Sequence, residues 1–165
     1  MTQHLETVTE AKNVDIGVDE RDNRAIANEL KKALGDSYTL YLKTLGVHWN
    51  VTGPTFFSLH KLTEEQYEDL HAAIDELAER IRALGQIAPA SYSEFAEVAA
   101  ISSDVIPDKA ETMLDSLISD NEKLARRFRA FVAVAEKAGD VFTADMLTAR
   151  IGQHEENAWM LRSMK

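Results

Sequence analysis

The chain has 165 residues, 45% hydrophobic and 28% charged, the balance of one soluble globular domain. It contains no cysteine, which excludes a disulfide scaffold, an iron–sulfur cluster, a thiol nucleophile and a thiolate zinc site. A formal net charge of −10 opposes non-specific binding to nucleic acid, whose affinity comes mostly from Lys and Arg on phosphates. Met1 to Glu6 carry no basic segment ahead of an apolar run, and no apolar run approaches the roughly 18 residues of a membrane span. A cytoplasmic protein is therefore expected.

Only seven glycines and three prolines punctuate the chain, so long helices are expected. Residues 1–20 are polar and without helical periodicity. Up to Arg24, three basic residues (Lys12, Arg21, Arg24) stand against six acidic ones, so this segment reads as a flexible acidic tail before a domain over 21–165. From about Asp22 to Val51, Ile26, Leu30, Leu34, Tyr38, Tyr41, Leu45 and His48 recur at helical spacing. Thr52-Gly53-Pro54 ends that helix. A second runs from Pro54 or Thr55 to Leu84 on the stripe Leu59, Leu62, Gln66, Leu70, Ile74, Leu77, Ile81 and Leu84, with Gly85 as its left-handed cap.

Gly85 to Ile106 is too long for a tight turn and carries Pro89; within it, Ser93 to Ala100 predicts a short helix. Pro107 is placed to open a third long helix ending near Ala138-Gly139, and Asp140 to cap a fourth. Two hairpins joined by a long crossover define an all-α fold. It is the ferritin-like variant of the four-helix bundle, with the second and third long helices parallel and a short helix between them.

The chemistry concentrates between His48 and Arg80. His48 closes the first helix, while His60/Glu64 and Asp75/Glu79 are two i, i+4 pairs on the second, each able to share a metal ion. From Glu64 to Asp75 the helix turns about 1100°, aligning the two to within roughly 20°, but they lie about 16 Å apart along the axis. One chain therefore cannot close the site. Two copies of the second helix, antiparallel about a two-fold axis near residue 70, would set Glu64 opposite the second copy's position 75 and His60 opposite its position 79, giving two equivalent sites. Two imidazoles with carboxylates suit iron, with zinc, cobalt or manganese as competitors. Trp49 offers an oxidisable ring beside His48, or an aromatic plug at the bundle end. His71 lies one turn before Asp75, as an additional ligand or a structural hydrogen-bonding residue.

The run His48-Trp49-Asn50-Val51-x-Gly53-x-x-Phe56-Phe57-x-Leu59-His60, followed by Asp75-x-x-Ala78-Glu79-Arg80, resembles the Dps proteins, the mini-ferritins. The likeness extends from about residue 20 through Thr143 to Leu147 and His154 to Arg162. It implies a hollow homododecamer that oxidises Fe(II), preferentially with hydrogen peroxide, and stores a ferric mineral, so limiting oxidative damage. By position, His48, His60, Glu64, Asp75 and Glu79 correspond to the family's ferroxidase ligands, with Trp49 beside them and zinc or other divalent ions as substitutes. Glu64 stands where many members carry Asp, and its longer reach would alter the metal–metal distance or the second site's occupancy.

Other charged groups read more plainly. His154-Glu155-Glu156 is expected on a solvated face, and His4 has no expected role. Arg80 is expected to meet interface carboxylates, Arg82 to lie on a solvated face, and Arg126, Arg127 and Arg129 to form a subunit contact or plain surface. Asp115, Asp120 and Glu122 are candidates for an acidic three-fold pore. Two other functions compete. DNA compaction, which some Dps proteins achieve through Lys-rich tails, is disfavoured by the acidic tail and by the short C-terminus Arg162-Ser163-Met164-Lys165. A metallohydrolase using a metal-bound water has no substrate pocket visible in the sequence.

Overall fold

A computed structural model describes residues 15–165, so most of the acidic tail lies outside the described residues. Five helices follow in order: α1 (Glu20–Asn50), α2 (Phe56–Ala83), α3 (Tyr92–Val98), α4 (Ala110–Lys137) and α5 (Val141–Arg162). There is no strand among the described residues. Gly85 takes φ +78° after α2, the left-handed conformation expected of it. The Asp140 carboxylate accepts from the Thr143 amide at 3.0 Å and caps α5.

The third long helix starts later than the proline signal suggests. α4 begins at Ala110 behind an extended Lys109, so Pro107 lies in the crossover and not in the first helical turn. The crossover is still lying along α1 at that point. A Cβ added to Gly46 would sit 1.8 Å from Ile106 Cδ1, so the strap passes directly over that glycine. The chain can coil only after it has left this contact.

Ion pairs fix the helix directions. Asp36 pairs with Arg127 and Lys43 with Asp120, so rising numbers on α1 meet falling numbers on α4. Asp69 with Arg150 and Arg80 with Asp140 do the same for α2 and α5. Since α1 and α2 form a hairpin, α2 and α4 run parallel, as a long crossover requires.

The core lies along the bundle axis, with Leu30, Leu34, Leu59, Leu70, Leu77, Ile81, Leu117, Leu124, Phe128 and Leu161 all essentially inaccessible. Each such side chain contributes about 1.5–3 kcal/mol by leaving water. Of the residues expected on the inner stripes, Tyr38, Tyr41, Leu45, Leu62 and Ile74 are only half-buried, because they flank the core.

Arg127 departs from expectation. It is not plain surface, because its guanidinium reaches inward to the fully buried Asp36 and also donates to Val98 O at 3.2 Å. Asp36 accepts in turn from the amides of Ala100, at 2.5 Å, and Ile101, at 3.3 Å. Burial pushes the Asp36 carboxyl pKa up, and the Ala100 amide and Arg127 oppose that rise. This one buried carboxylate ties α1, α4 and the end of α3 together.

Candidate metal centre

The short Val51–Thr55 link folds the start of α2 back against the end of α1, and the two terminal histidines meet there. Their rings stack with centroids 3.8 Å apart and planes 17° apart. The contact is reciprocal: His48 Nδ1 donates to His60 O at 2.8 Å, and His60 Nδ1 donates to His48 O at 2.9 Å. A carbonyl oxygen can only accept, so each Nδ1 carries the ring proton. In the neutral ring Nε2 then keeps its lone pair for an electrophile, the arrangement that backbone carbonyls impose on metal-binding histidines. Phe56 stacks on His60 at 5.1 Å and Tyr67 meets His48 edge-on at 5.1 Å, so both rings are held by packing as well.

Glu64 follows His60 by one turn, with its carboxylate turned to Lys61, whose Nζ donates to Oε2 at 2.6 Å. That bond, with the charge of Lys61, holds the Glu64 pKa below the ordinary carboxylate value, and desolvation opposes it. The pair is exposed and salt-screened, so it is a weak competitor for Glu64. Asp75 and Glu79 lie exposed further along α2. Among the described residues of one chain, no three His, Asp or Glu side chains converge to hold a metal. The structure thus brings His48 and His60 together, leaves Glu64 one turn away on Lys61, and keeps Asp75 and Glu79 apart from all three.

Trp49 is 68% exposed, so it does not plug the end of its own bundle. His71 is exposed, with its ring centroid 5.9 Å from that of Tyr41. Arg80 does not wait for an interface partner. It donates to both Asp140 carboxylate oxygens and to Thr143 Oγ1, each at 2.8 Å, with the Phe142 ring 5.0 Å away. It thereby locks α2 to the cap of α5, beside a cleft of about 470 Å³ lined by Glu76, Glu79 and Asp145. Arg82 is half-buried and donates to Gln86 O at 3.0 Å, closing the end of α2.

His154 is the clearest correction to the sequence reading. It is completely buried, not solvated, with Nδ1 2.9 Å from Asn121 Oδ1 and its ring against Phe128. Desolvation, helped by the charge of Arg150, lowers its pKa to about 3. Glu155 and Glu156 are exposed as expected. The three pore candidates are engaged within the chain: Asp120 with Lys43, Asp115 with Lys165, and Glu122 with Arg162. Of the remaining arginines, Arg126 lies 3.9 Å from Glu122 and Arg129 pairs with Glu155.

Two neighbours of the histidine pair escaped the sequence reading. Tyr67 falls seven residues after His60, two helical turns along the same face, and that spacing was signal enough. Lys61 gives no such signal, since a lysine beside a glutamate is an ordinary surface feature.

Comparisons with known proteins agree with this architecture. Residues 27–164 match the ferritin-like domain model. An uncharacterised low-temperature-induced protein of Nostoc is 41% identical over 91% of this chain and 85% of its own length. A DNA protection during starvation protein of Bacillus anthracis is 33% identical, covering 86% of this chain and 97% of its own. The crystal structure of a Vibrio cholerae Dps protein, described as one of the ferritin-like diiron-carboxylate proteins, superposes with a TM-score of 0.87. It is 32% identical and covers 92% of this chain and 96% of that one. The chain belongs to the ferritin-like proteins and, within them, to the Dps family.

Proposed function

We propose that this protein stores and detoxifies iron, oxidising Fe(II) with hydrogen peroxide at sites shared between two subunits. The reciprocal histidine lock is the observation that carries the reading, because it turns both Nδ1 atoms to the backbone and leaves both Nε2 atoms facing away from it at one end of an acidic helix. His48, His60 and Glu64 of one subunit would bind Fe(II) together with the carboxylates at positions 75 and 79 of a second copy. Family membership supports the same use, since a close structural relative is described as a diiron-carboxylate protein.

Each residue type has a role. The histidines hold Fe(II), and the carboxylates stabilise the Fe(III) that forms. Two Fe(II) ions each give one electron, and one hydrogen peroxide with two protons becomes two waters. Neither oxidant nor iron is then left to form hydroxyl radical. Glu64 must leave Lys61 to bind, and its extra methylene against Asp gives it the reach. Trp49 lies next in sequence to His48 as an oxidisable side chain. His71, one turn from Asp75, is a further nitrogen donor on that face.

The ferric product would be kept inside a closed homododecamer in the cytoplasm. No helix among the described residues is long and apolar enough to cross a membrane. Zinc or another redox-inert divalent ion would occupy the site without turnover. The starvation-protection names of the relatives fit iron removal, and a chain of net charge −10 is a poor direct ligand for DNA.

The test is an anaerobic Fe(II) titration followed by a peroxide pulse, with ferric absorbance as the readout. Rapid oxidation in the wild type and its loss in His60→Ala are expected. Equal oxidation in both proteins would overturn the assignment.

A further inference from the structure

The chain contains four tyrosines, and all four lie in one unbroken series of ring contacts that starts at the histidine pair. Tyr67 meets His48 with ring centroids 5.1 Å apart. Tyr41 lies 6.3 Å from Tyr67, Tyr38 lies 6.0 Å from Tyr41, and Tyr92 lies 5.9 Å from Tyr38. The series leaves α2, climbs α1 against its numbering and ends on α3, where Tyr92 is 70% exposed on the subunit. None of the six phenylalanines interrupts it; Phe95 only flanks Tyr38, stacked at 4.5 Å.

Aromatic rings pack together in any core, but these four lie at its margin, with Tyr38 and Tyr41 packed against its edge. Tyr38, Tyr41 and Tyr67 are half-buried and Tyr92 is exposed, while the fully buried aromatic position of the bundle is taken by Phe128. Phenylalanine would serve the ring contacts, though not the hydrogen bond between the Tyr38 and Tyr92 phenols. What tyrosine adds is a phenol that can give up one electron and one proton. Rings in contact give the strongest electronic coupling that non-bonded side chains offer.

We propose that Tyr67, Tyr41, Tyr38 and Tyr92 form a one-electron relay that supplies the second electron when only one Fe(II) is bound beside His48 and His60. The proposal rests on the ferroxidase reading above. Peroxide needs two electrons and two protons to become two waters. One bound Fe(II) supplies one electron and becomes Fe(III). Tyr67 supplies the other electron together with its phenolic proton, solvent supplies the second proton, and a tyrosyl radical remains. Tyr41 then reduces Tyr67, Tyr38 reduces Tyr41, and Tyr92 reduces Tyr38, each phenol passing on one electron and one proton. The radical ends on the exposed ring, away from the iron, where a soluble reductant can quench it. A hydroxyl radical is not released.

The experiment uses the assembled full-length protein with Fe(II) limiting, a peroxide pulse, and a nitroso spin trap read by peptide mass spectrometry. A parallel sample is freeze-quenched for electron paramagnetic resonance. The expected result is a tyrosyl signal with trap adduct on Tyr92. In Tyr38→Phe, which keeps the stack on Phe95, the Tyr92 adduct is lost and adduct remains on Tyr41 or Tyr67. Oxidation of excess Fe(II) by peroxide is unchanged in that variant. An equal Tyr92 adduct in Tyr38→Phe, or radical confined to Trp49 in the wild type, would overturn the relay.

A second arm needs no iron. Because the chain lacks cysteine, Phe57→Cys, at an exposed position in the first turn of α2 three residues before His60, takes a single ruthenium photosensitiser, and flash-quench generates the oxidant at that end of the helix. The same Tyr38-dependent adduct on Tyr92 is expected, and its absence overturns the relay. Failure of peroxide-driven iron oxidation with success of the photochemical arm would instead sink only the ferroxidase reading.

Discussion

Histidines in the two helical hairpins meet opposite fates. In the α1–α2 hairpin, His48 and His60 each spend one nitrogen on a backbone carbonyl and keep the other free at the edge of the bundle. In the α4–α5 hairpin, His154 is sealed in the core against Asn121 and Phe128. The residue type is the same, and what surrounds it decides between an open ring nitrogen and a packed core polar group. The first region keeps donors available and accepts exposed carboxylates on α2. The second turns His154, Asn121 and Asn157 into the core.

This contrast predicts that activity and stability separate between the histidine pair and the buried polar ties. The largest effect is expected at the tie between α1 and α4. Arg127→Ala leaves the buried Asp36 without its counter-charge and should cost about 3–5 kcal/mol. Chemical denaturation would report the loss. His60→Ala, which removes a half-buried ring, should cost much less stability while abolishing iron oxidation. Comparable destabilisation by the two substitutions would break the distinction.

A smaller and more specific effect is expected at His154. Its pKa near 3 in the fold compares with about 6.5 in an unfolded chain. Between those values the unfolded chain binds a proton that the folded one does not. His154 therefore lowers stability as pH falls below about 6.5, by up to about 1.4 kcal/mol per pH unit. Unfolding measured from about pH 7 to about pH 5 should show a shallower acid loss in His154→Gln than in the wild type. Equal slopes would mean that His154 is protonated, and so solvated, in the native protein.

Much of this was legible in the sequence, and the misses have physical causes. The α1 and α2 stripes, the Gly85 stop and the Asp140 cap follow from local rules that tertiary packing did not override. The start of α4 did not, because Pro107 favours helix locally while Ile106 is held over Gly46 by a contact sixty residues away in sequence. His154 was misassigned because its neighbours Glu155 and Glu156 dominate the local composition. Its spacing to Leu147, Ile151, Ala158 and Leu161, all buried, places it on the inner face of α5. Arg127 was hidden between Arg126 and Arg129, and only the fold reveals which of the three turns inward.

At the candidate site, the spacing of His48, His60, Glu64, Asp75 and Glu79 carried the two-chain argument. The histidine–carbonyl lock could not be read from the sequence, since it depends on the angle at which α2 returns from the Val51–Thr55 link. Tyr67 marks the middle ground, because its position was predictable and its partner was not.

The central claim is that each site is shared between two subunits, and subunit mixing tests it most directly. His60→Ala and Asp75→Ala would be prepared separately, dissociated, mixed in equal amounts and reassembled, then given Fe(II) and peroxide. Each variant alone should be inactive, and the mixture should regain part of the wild-type oxidation, because some mixed pairs rebuild one intact site. No recovery in a mixture shown to contain mixed pairs would contradict the shared site.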